Sequence, residues 1–184
     1  NDGYEGTNCH EGSDCVKTSN PSDDGTDGNF YCINGGTIGG TTGNCGCTGC
    51  NTGYSGTSCH TADACTGSIS DGSKDGSDGV FYCINGGEVT GTTGDCTCAS
   101  CNSGYEGTNC HTASDCVAST DDAKDGTDGN FYCINGGTIG GTTTNCTCTS
   151  CNAGYSGTNC HTPDPCVATT SSSDDGNDGN FYCI

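Results

Sequence analysis

Cysteine is the residue type in this chain whose number and spacing could support chemistry, since 21 of the 184 residues are Cys. Three units of six cysteines share one pattern, with 16 or 17, 12, 1, 2 and 8 residues between neighbours. Such cysteines either form disulfides or, when reduced, bind zinc as thiolates. Each unit has one His, directly after its last Cys, and the chain is acidic and Thr-rich. These features favour disulfides and predict an extracellular or cell-surface location.

The composition indicates that crosslinks, rather than a large core, must stabilise the fold. The chain has no Leu, Met, Trp or Arg, only 16 Ile, Val and Phe residues, and a formal net charge of −20. A chain of this kind buries too little apolar surface to fold around one core. Disulfides compensate by lowering the entropy of the unfolded chain. The predicted fold class is small and disulfide-rich, with short β-hairpins, little helix and no large core.

The cysteine pattern also divides the chain into repeats. One position of the unit recurs after 51, 50 and 50 residues, at Cys32, Cys83, Cys133 and Cys183. A fixed period of this length indicates an array of small structural units. Cys9 is interpreted as the end of an earlier repeat, and Cys166 and Cys183 as the start of a later one, with partners expected outside this sequence. The predicted domains are residues 1–14 (end of a preceding repeat), 15–64, 65–115, 116–165 and 166–184 (start of a further repeat).

Two segments of the first repeat allow a prediction of local structure. The run Phe30–Ile33 favours a strand, Asn34–Gly36 favours a tight turn, and Thr37–Thr42 can form the returning strand. These three segments predict an antiparallel hairpin. The segment between the first two cysteines, Val16–Asp27, varies between repeats and is polar, so an exposed loop is expected there.

The motif Cys-x-Asn-Gly-Gly, followed later by Cys-x-x-Gly-Tyr-x-Gly-x-x-Cys, resembles the EGF-like module. Its second half matches at Cys50–Cys59, Cys101–Cys110 and Cys151–Cys160, and the resemblance covers almost the whole chain as tandem copies. The spacing departs from the family because the third cysteine comes later, and the sequence alone leaves 15 pairings open. The resemblance implies pairing of first with third, second with fourth and fifth with sixth cysteines: Cys15–Cys45, Cys32–Cys47, Cys50–Cys59, Cys65–Cys96, Cys83–Cys98, Cys101–Cys110, Cys116–Cys146, Cys133–Cys148 and Cys151–Cys160.

The longer pattern Asn-Gly-Gly-x-x-Gly-x-Thr-x-x-x-Cys-x-Cys-x-x-Cys is similar to repeats in secreted proteins of heterokont algae. Among these it is similar to proteins of the tubular flagellar hairs, the mastigonemes. This resemblance implies a subunit of an extracellular fibre that associates with itself or with other fibre subunits. The alternative is a cell-surface adhesion or receptor ectodomain that binds a protein or glycan. A binding module of this kind predicts that one repeat is distinctive. The repeat that departs most from the others is the second, at Val80, Glu88 and Val89.

Several other functions are not favoured by the residues. With 23 acidic residues against three Lys, the chain repels nucleic acid. No apolar run approaches the roughly 20 residues that span a bilayer. No enzyme activity is expected, because the repeated histidines stand at the links between units, away from any recurring nucleophile: His10, His60, His111 and His161.

No cofactor is expected, but calcium is the alternative to consider. Carboxylates recur just before the Phe-Tyr-Cys sequence, at Asp24, Asp27, Asp75, Asp78, Asp125 and Asp128. Calcium binds six to eight oxygen ligands, whereas the Asp-Gly-x-Asp-Gly sequence also forms turns with solvated carboxylates.

Covalent glycans are expected from the predicted extracellular location. Thr37 and Thr138 stand at the position where the EGF-like family carries fucose. The sequon Asn145-Cys146-Thr147 offers a site for N-linked sugar.

Overall fold

The computed structural model of the chain describes residues 2–182, and within that range it contains 22 short β-strands and no helix. The strands are β1 (Tyr4–Glu5), β2 (Glu11–Gly12), β3 (Val16–Thr18), β4 (Asn29–Tyr31), β5 (Thr37–Gly39), β6 (Gly46–Thr48), β7 (Tyr54–Ser55), β8 (Thr61–Ala62), β9 (Thr66–Ser68), β10 (Val80–Tyr82), β11 (Glu88–Thr92), β12 (Asp95–Ala99), β13 (Tyr105–Glu106), β14 (Thr112–Ala113), β15 (Val117–Ser119), β16 (Asn130–Tyr132), β17 (Thr138–Thr142), β18 (Asn145–Thr149), β19 (Tyr155–Ser156), β20 (Thr162–Pro163), β21 (Val167–Thr169) and β22 (Asn180–Tyr182). No helix in this range is long and apolar enough to cross a membrane.

Each complete repeat contains three strand pairs in the same order. In the first repeat, β3 and β4 pair in parallel, and β5–β6 and β7–β8 pair antiparallel. The second and third repeats form the corresponding pairs from β9 to β14 and from β15 to β20. The sheets stay two-stranded because glycines and turns interrupt the chain every few residues.

The strand pairing corrects two of the local predictions. The strand Asn29–Tyr31 does not form a hairpin with the segment after Asn34–Gly36. It pairs instead with Val16–Thr18, the first residues of the segment expected to be an exposed loop. The returning strand Thr37–Gly39 pairs with Gly46–Thr48, which carries Cys47. The disulfide Cys32–Cys47 links the residue after β4 to this hairpin.

The core of each repeat consists of half-cystines rather than aliphatic side chains. All the buried hydrophobic residues among the described residues are cysteines: Cys15, Cys32, Cys47, Cys59, Cys83, Cys110, Cys116, Cys133, Cys148 and Cys160. In the first repeat Phe30 and Ile38 pack against the buried sulfurs, and Phe131 and Ile139 do so in the third. The fold class predicted from composition, small disulfide-rich modules without a large core, is confirmed.

The chain divides into two compact units. The first consists of Asn1–Cys83 and Glu88–Ala99, and the second of Ile84–Gly87 and Ser100–Ile184. The first unit therefore holds the whole first repeat, and the second holds the whole third repeat, so the two repeats belong to different units.

Candidate functional site: the disulfide frame and the joints between repeats

Within residues 2–182 the structure contains nine disulfides, three in each complete repeat. They join the same cysteines that the EGF-like resemblance implies: Cys15–Cys45, Cys32–Cys47, Cys50–Cys59, Cys65–Cys96, Cys83–Cys98, Cys101–Cys110, Cys116–Cys146, Cys133–Cys148 and Cys151–Cys160. Their sequence separations are 30 or 31, 15 and 9 residues. Closing loops of these lengths stabilises a fold by about 3 kcal/mol per bridge in the chain-entropy description.

Two of the bridges in a repeat lie against each other. The Sγ atoms of Cys47 and Cys59, from different disulfides, are 3.3 Å apart, and those of Cys148 and Cys160 are 3.6 Å apart. A Cβ atom at Gly36 would overlap the Cys47 sulfur. The second Gly of the Asn-Gly-Gly motif is therefore required by the close approach of backbone and sulfur.

The joint that leads into the third repeat is fixed by hydrogen bonds. Thr143 is only 2% exposed. Its hydroxyl donates to the Gly104 carbonyl at 2.6 Å and lies 3.2 Å from the Ser114 carbonyl oxygen. Its backbone N–H donates to Ser114, whose own N–H donates to Gly104, both at 2.9 Å. A buried hydroxyl thus connects the last loop of one repeat, the linker and the next repeat.

Gly104 allows this joint to close. It has φ +86°, and a Cβ atom there would lie 2.6 Å from Thr143 Oγ1 and 2.8 Å from the Asp128 carbonyl carbon. Real Cβ contacts are not this short, so any other residue would force the two repeats apart. Gly53 occupies the same environment against Thr93 in the first unit.

The same joint occurs wherever the described residues contain the two repeats it links. Thr42 donates its N–H to Ser13, and Ser13 donates to Gly3, both at 2.9 Å. Thr93 donates to Asp63 at 2.9 Å, and Asp63 donates to Gly53 at 2.8 Å. The linker also forms a β-bridge to the next hairpin, as between Asp14 and Thr41 or Asp115 and Thr142. The repeats are therefore joined by one recurring, ordered contact rather than by free linkers.

The aspartates proposed as calcium ligands stabilise their own turns. Asp24 Oδ1 accepts hydrogen bonds from the Thr26 N–H at 3.0 Å and hydroxyl at 2.7 Å. Asp27 Oδ1 accepts the Asn29 N–H at 2.9 Å. The carboxylates of four further residues each accept the backbone N–H of the residue two positions later in the chain: Asp75, Asp78, Asp125 and Asp128. This is the Asx-turn use of aspartate, and calcium binding by these residues stays a prediction.

Hydrogen bonds and lysine partners keep these carboxylates ionised. Lys124 lies 2.6 Å from Asp128, and its hydrogen bond, followed by that of the Asn130 N–H, lowers the pKa of Asp128 to about 2. The side-chain hydrogen bond from Asn29 is the main reason that the pKa of Asp27 is lowered. Asp128 thus adds a cation to its Asn130 partner while keeping the same turn.

The residues expected to carry glycans are accessible on the hairpins. Thr37 and Thr138 are exposed at the starts of β5 and β17. Asn145 is exposed at the start of β18, opposite Thr142. Exposure is compatible with modification, and glycosylation of these three residues remains a prediction.

In the first and third repeats, the histidine that follows the last cysteine packs onto its own repeat. The rings of Tyr31 and His60 have centroids 5.8 Å apart, and those of Tyr132 and His161 are 5.9 Å apart. Sequence reasoning assigned these histidines to the links and missed the Tyr partner. It also missed the joint threonine, although Thr42, Thr93 and Thr143 recur in every complete repeat.

The remaining cysteines lie at the ends of the sequence. Cys9 and Cys166 are exposed and form no disulfide with another described residue. Cys183, expected to belong with Cys166 to a further repeat, lies outside the described residues.

Neither a protein-family model nor a curated protein matches this chain. The number of disulfides is typical of an extracellular or secreted protein.

Proposed function

We propose that this chain is part of an extracellular structural protein whose tandem EGF-like repeats build the subunit of a fibre. The observation that carries the proposal is the recurring joint. Thr42, Thr93 and Thr143 connect successive repeats through the same backbone hydrogen bonds. A joint that repeats the same backbone hydrogen bonds at each step gives an array a regular geometry.

The EGF-like part of the proposal is supported by the disulfide pairing and by the antiparallel hairpin that carries the third and fourth cysteines. The fibre is proposed to assemble with copies of itself or with other subunits and to carry covalent glycans. The finer hypothesis, a flagellar hair, rests on the sequence similarity to mastigoneme repeats. No catalytic role is proposed.

An adhesion or receptor ectodomain is the second candidate function. One observation favours it, namely a cleft beside Tyr31, two of whose lining residues, Pro21 and Ser58, differ in the third repeat. Such a difference between otherwise equivalent repeats is what a recognition module requires.

Immunogold electron microscopy of the native material tests the fibre, with an antibody raised against the folded third repeat and a preimmune serum as control. Filaments labelled at regular intervals along their length are expected. Labelling of discrete particles, or of short projections anchored in a membrane, would overturn the proposal and favour the ectodomain.

A further inference from the structure

A surface cleft of about 350 Å³ lies beside Tyr31 in the first repeat. Its lining includes Pro21, Tyr31 and His60 and the hydroxyl residues Thr57 and Ser58. This volume is at the small end of the range of about 300–1,000 Å³ that ligand sites occupy. The disulfide Cys50–Cys59 holds the loop that carries the hydroxyl residues.

At the corresponding place the third repeat has a larger side chain. Asn159 stands where the first repeat has Ser58. Its Nδ2 donates to the Tyr132 carbonyl at 2.6 Å, and its Oδ1 accepts the Thr158 hydroxyl at 2.9 Å. The Asn159 amide therefore binds the Thr158 hydroxyl, whose counterpart in the first repeat, Thr57, lines the cleft.

In the first repeat the hydroxyls of Thr57 and Ser58 form no hydrogen bond among the described residues, and Ser58 is shorter than the Asn159 that takes its place in the third repeat. The second difference is at Pro21, which also lines the cleft and corresponds to Asp122 of the third repeat. The first repeat thus has a serine and a proline where the third repeat has an amide and a carboxylate.

The chemistry of the lining limits the ligand. No carboxylate or ammonium group lines the cleft, and a net charge of −20 repels anions. An aromatic ring and a proline offer an apolar wall, while hydroxyls and an imidazole offer donors and acceptors. A neutral pyranose has the matching shape, with one face of C–H groups and a rim of hydroxyls.

We propose that the cleft formed by Pro21, Tyr31, Ser58 and His60 binds a neutral pyranose unit of a glycan. The sugar ring packs on Tyr31 and Pro21, and its hydroxyls bond to Thr57, Ser58 and His60. This site does not depend on fibre formation, because all its residues belong to one repeat. Within a fibre it would hold a glycan of a neighbouring chain or of another surface.

The test is titration of the isotope-labelled chain with methyl glycosides of glucose, mannose, galactose and N-acetylglucosamine, followed by amide chemical shifts. Shifts at Tyr31, Ser58 and His60 are expected with at least one glycoside. In Ser58→Asn combined with Pro21→Asp, which installs the residues of the third repeat, the affinity should fall at least tenfold. Tyr132→Ala is the matched control and should leave binding unchanged.

A second variant installs the first-repeat residues in the third repeat. Because it should gain binding, its result cannot be explained by loss of folding. Asn159→Ser combined with Asp122→Pro should produce a second set of shifts around Tyr132, whose dispersion also reports that the fold is intact. Absence of shifts with every glycoside, shifts confined to other surfaces, or binding only of sulfated glycans or of peptides would overturn the proposal.

Discussion

The first and third repeats share a framework but differ on its surface. Each has the same three disulfides, the same three strand pairs and a Tyr–His ring contact at 5.8–5.9 Å. They differ beside that contact, where Ser58 corresponds to Asn159, and in the first loop, where Asp23 corresponds to Lys124. The two repeats therefore share the disulfide frame and the backbone bonds of the joint. Their loop residues differ in hydrogen-bond partners and in charge.

Removal of the central disulfide should have the largest effect, and an equal one in both repeats. Replacing Cys133 and Cys148 by Ala is expected to cost about 3 kcal/mol of local stability from loop entropy, and more from the lost packing of Phe131. The same change at Cys32 and Cys47 should match it. Hydrogen exchange of the hairpin amides measures both. A large loss in only one repeat would show that the frames are not equivalent.

Substitution of the joint glycine should come next. In Gly104→Ala the positive φ costs about 1–2 kcal/mol, and the new Cβ also overlaps Thr143 and the backbone of residue 128. Gly157→Ala is the matched control, because its φ is +87° but the nearest atom, 3.0 Å away, is the movable hydroxyl of Thr162.

Hydrogen exchange of the Ser114 and Thr143 amides should accelerate in Gly104→Ala and stay unchanged in Gly157→Ala. Equal protection of these amides in both variants would mean that the joint tolerates a side chain. That result would remove the main support for a regular array.

Substitution of the joint threonines should have a smaller effect on stability, and one that differs between the two repeats. Thr143 bonds to Gly104 as well as to Ser114, whereas Thr42 bonds through its hydroxyl to Ser13 alone, at 3.2 Å. Thr143→Val should therefore cost about 1.5 kcal/mol and Thr42→Val about 0.5–1 kcal/mol, within the usual range for a hydrogen bond. Protection factors of the Thr143 and Thr42 amides measure the two stability losses. A larger loss in Thr42→Val than in Thr143→Val would contradict this ranking.

The exchange of Lys124 for Asp, the residue of the first repeat, should have the smallest effect. Lys124 holds the pKa of Asp128 at about 2, below its ordinary value of 3.8. The resulting stabilisation is present above the ordinary pKa and is lost as the pH falls through about 2. In Lys124→Asp the pKa of Asp128 should rise, and that of Asp27 should not change. Carboxyl ¹³C shifts against pH measure both values, and an unchanged Asp128 would contradict the assigned cause.

The sequence allowed the frame to be predicted better than the contacts that arrange it. The spacing from Cys15 to Cys59 identifies the repeat, and the EGF-like resemblance implies a pairing that the structure also forms. The parallel pairing of β3 with β4 could not be predicted, because Val16–Thr18 belongs to a polar segment without alternating burial. Partners so far apart leave no local pattern.

The joint and the cleft could not be predicted from the sequence for a related reason. Thr42 and Thr143 stand in Thr-rich segments, where composition does not distinguish a buried hydroxyl from an exposed one. Ser58 and Asn159 are both ordinary loop residues, and the structure distinguishes them through the hydrogen bond that Asn159 donates to the Tyr132 carbonyl. Alignment of the repeats shows these differences, but it requires a structure to show which of them face the same cleft.

Mass mapping of the bridges in the non-reduced native protein tests the central claim most directly, namely that every repeat is held by one disulfide frame. The account predicts first–third, second–fourth and fifth–sixth pairing in each complete repeat, including Cys15–Cys45 and Cys116–Cys146. Free thiols within a complete repeat, or different pairings in the first and third repeats, would contradict it.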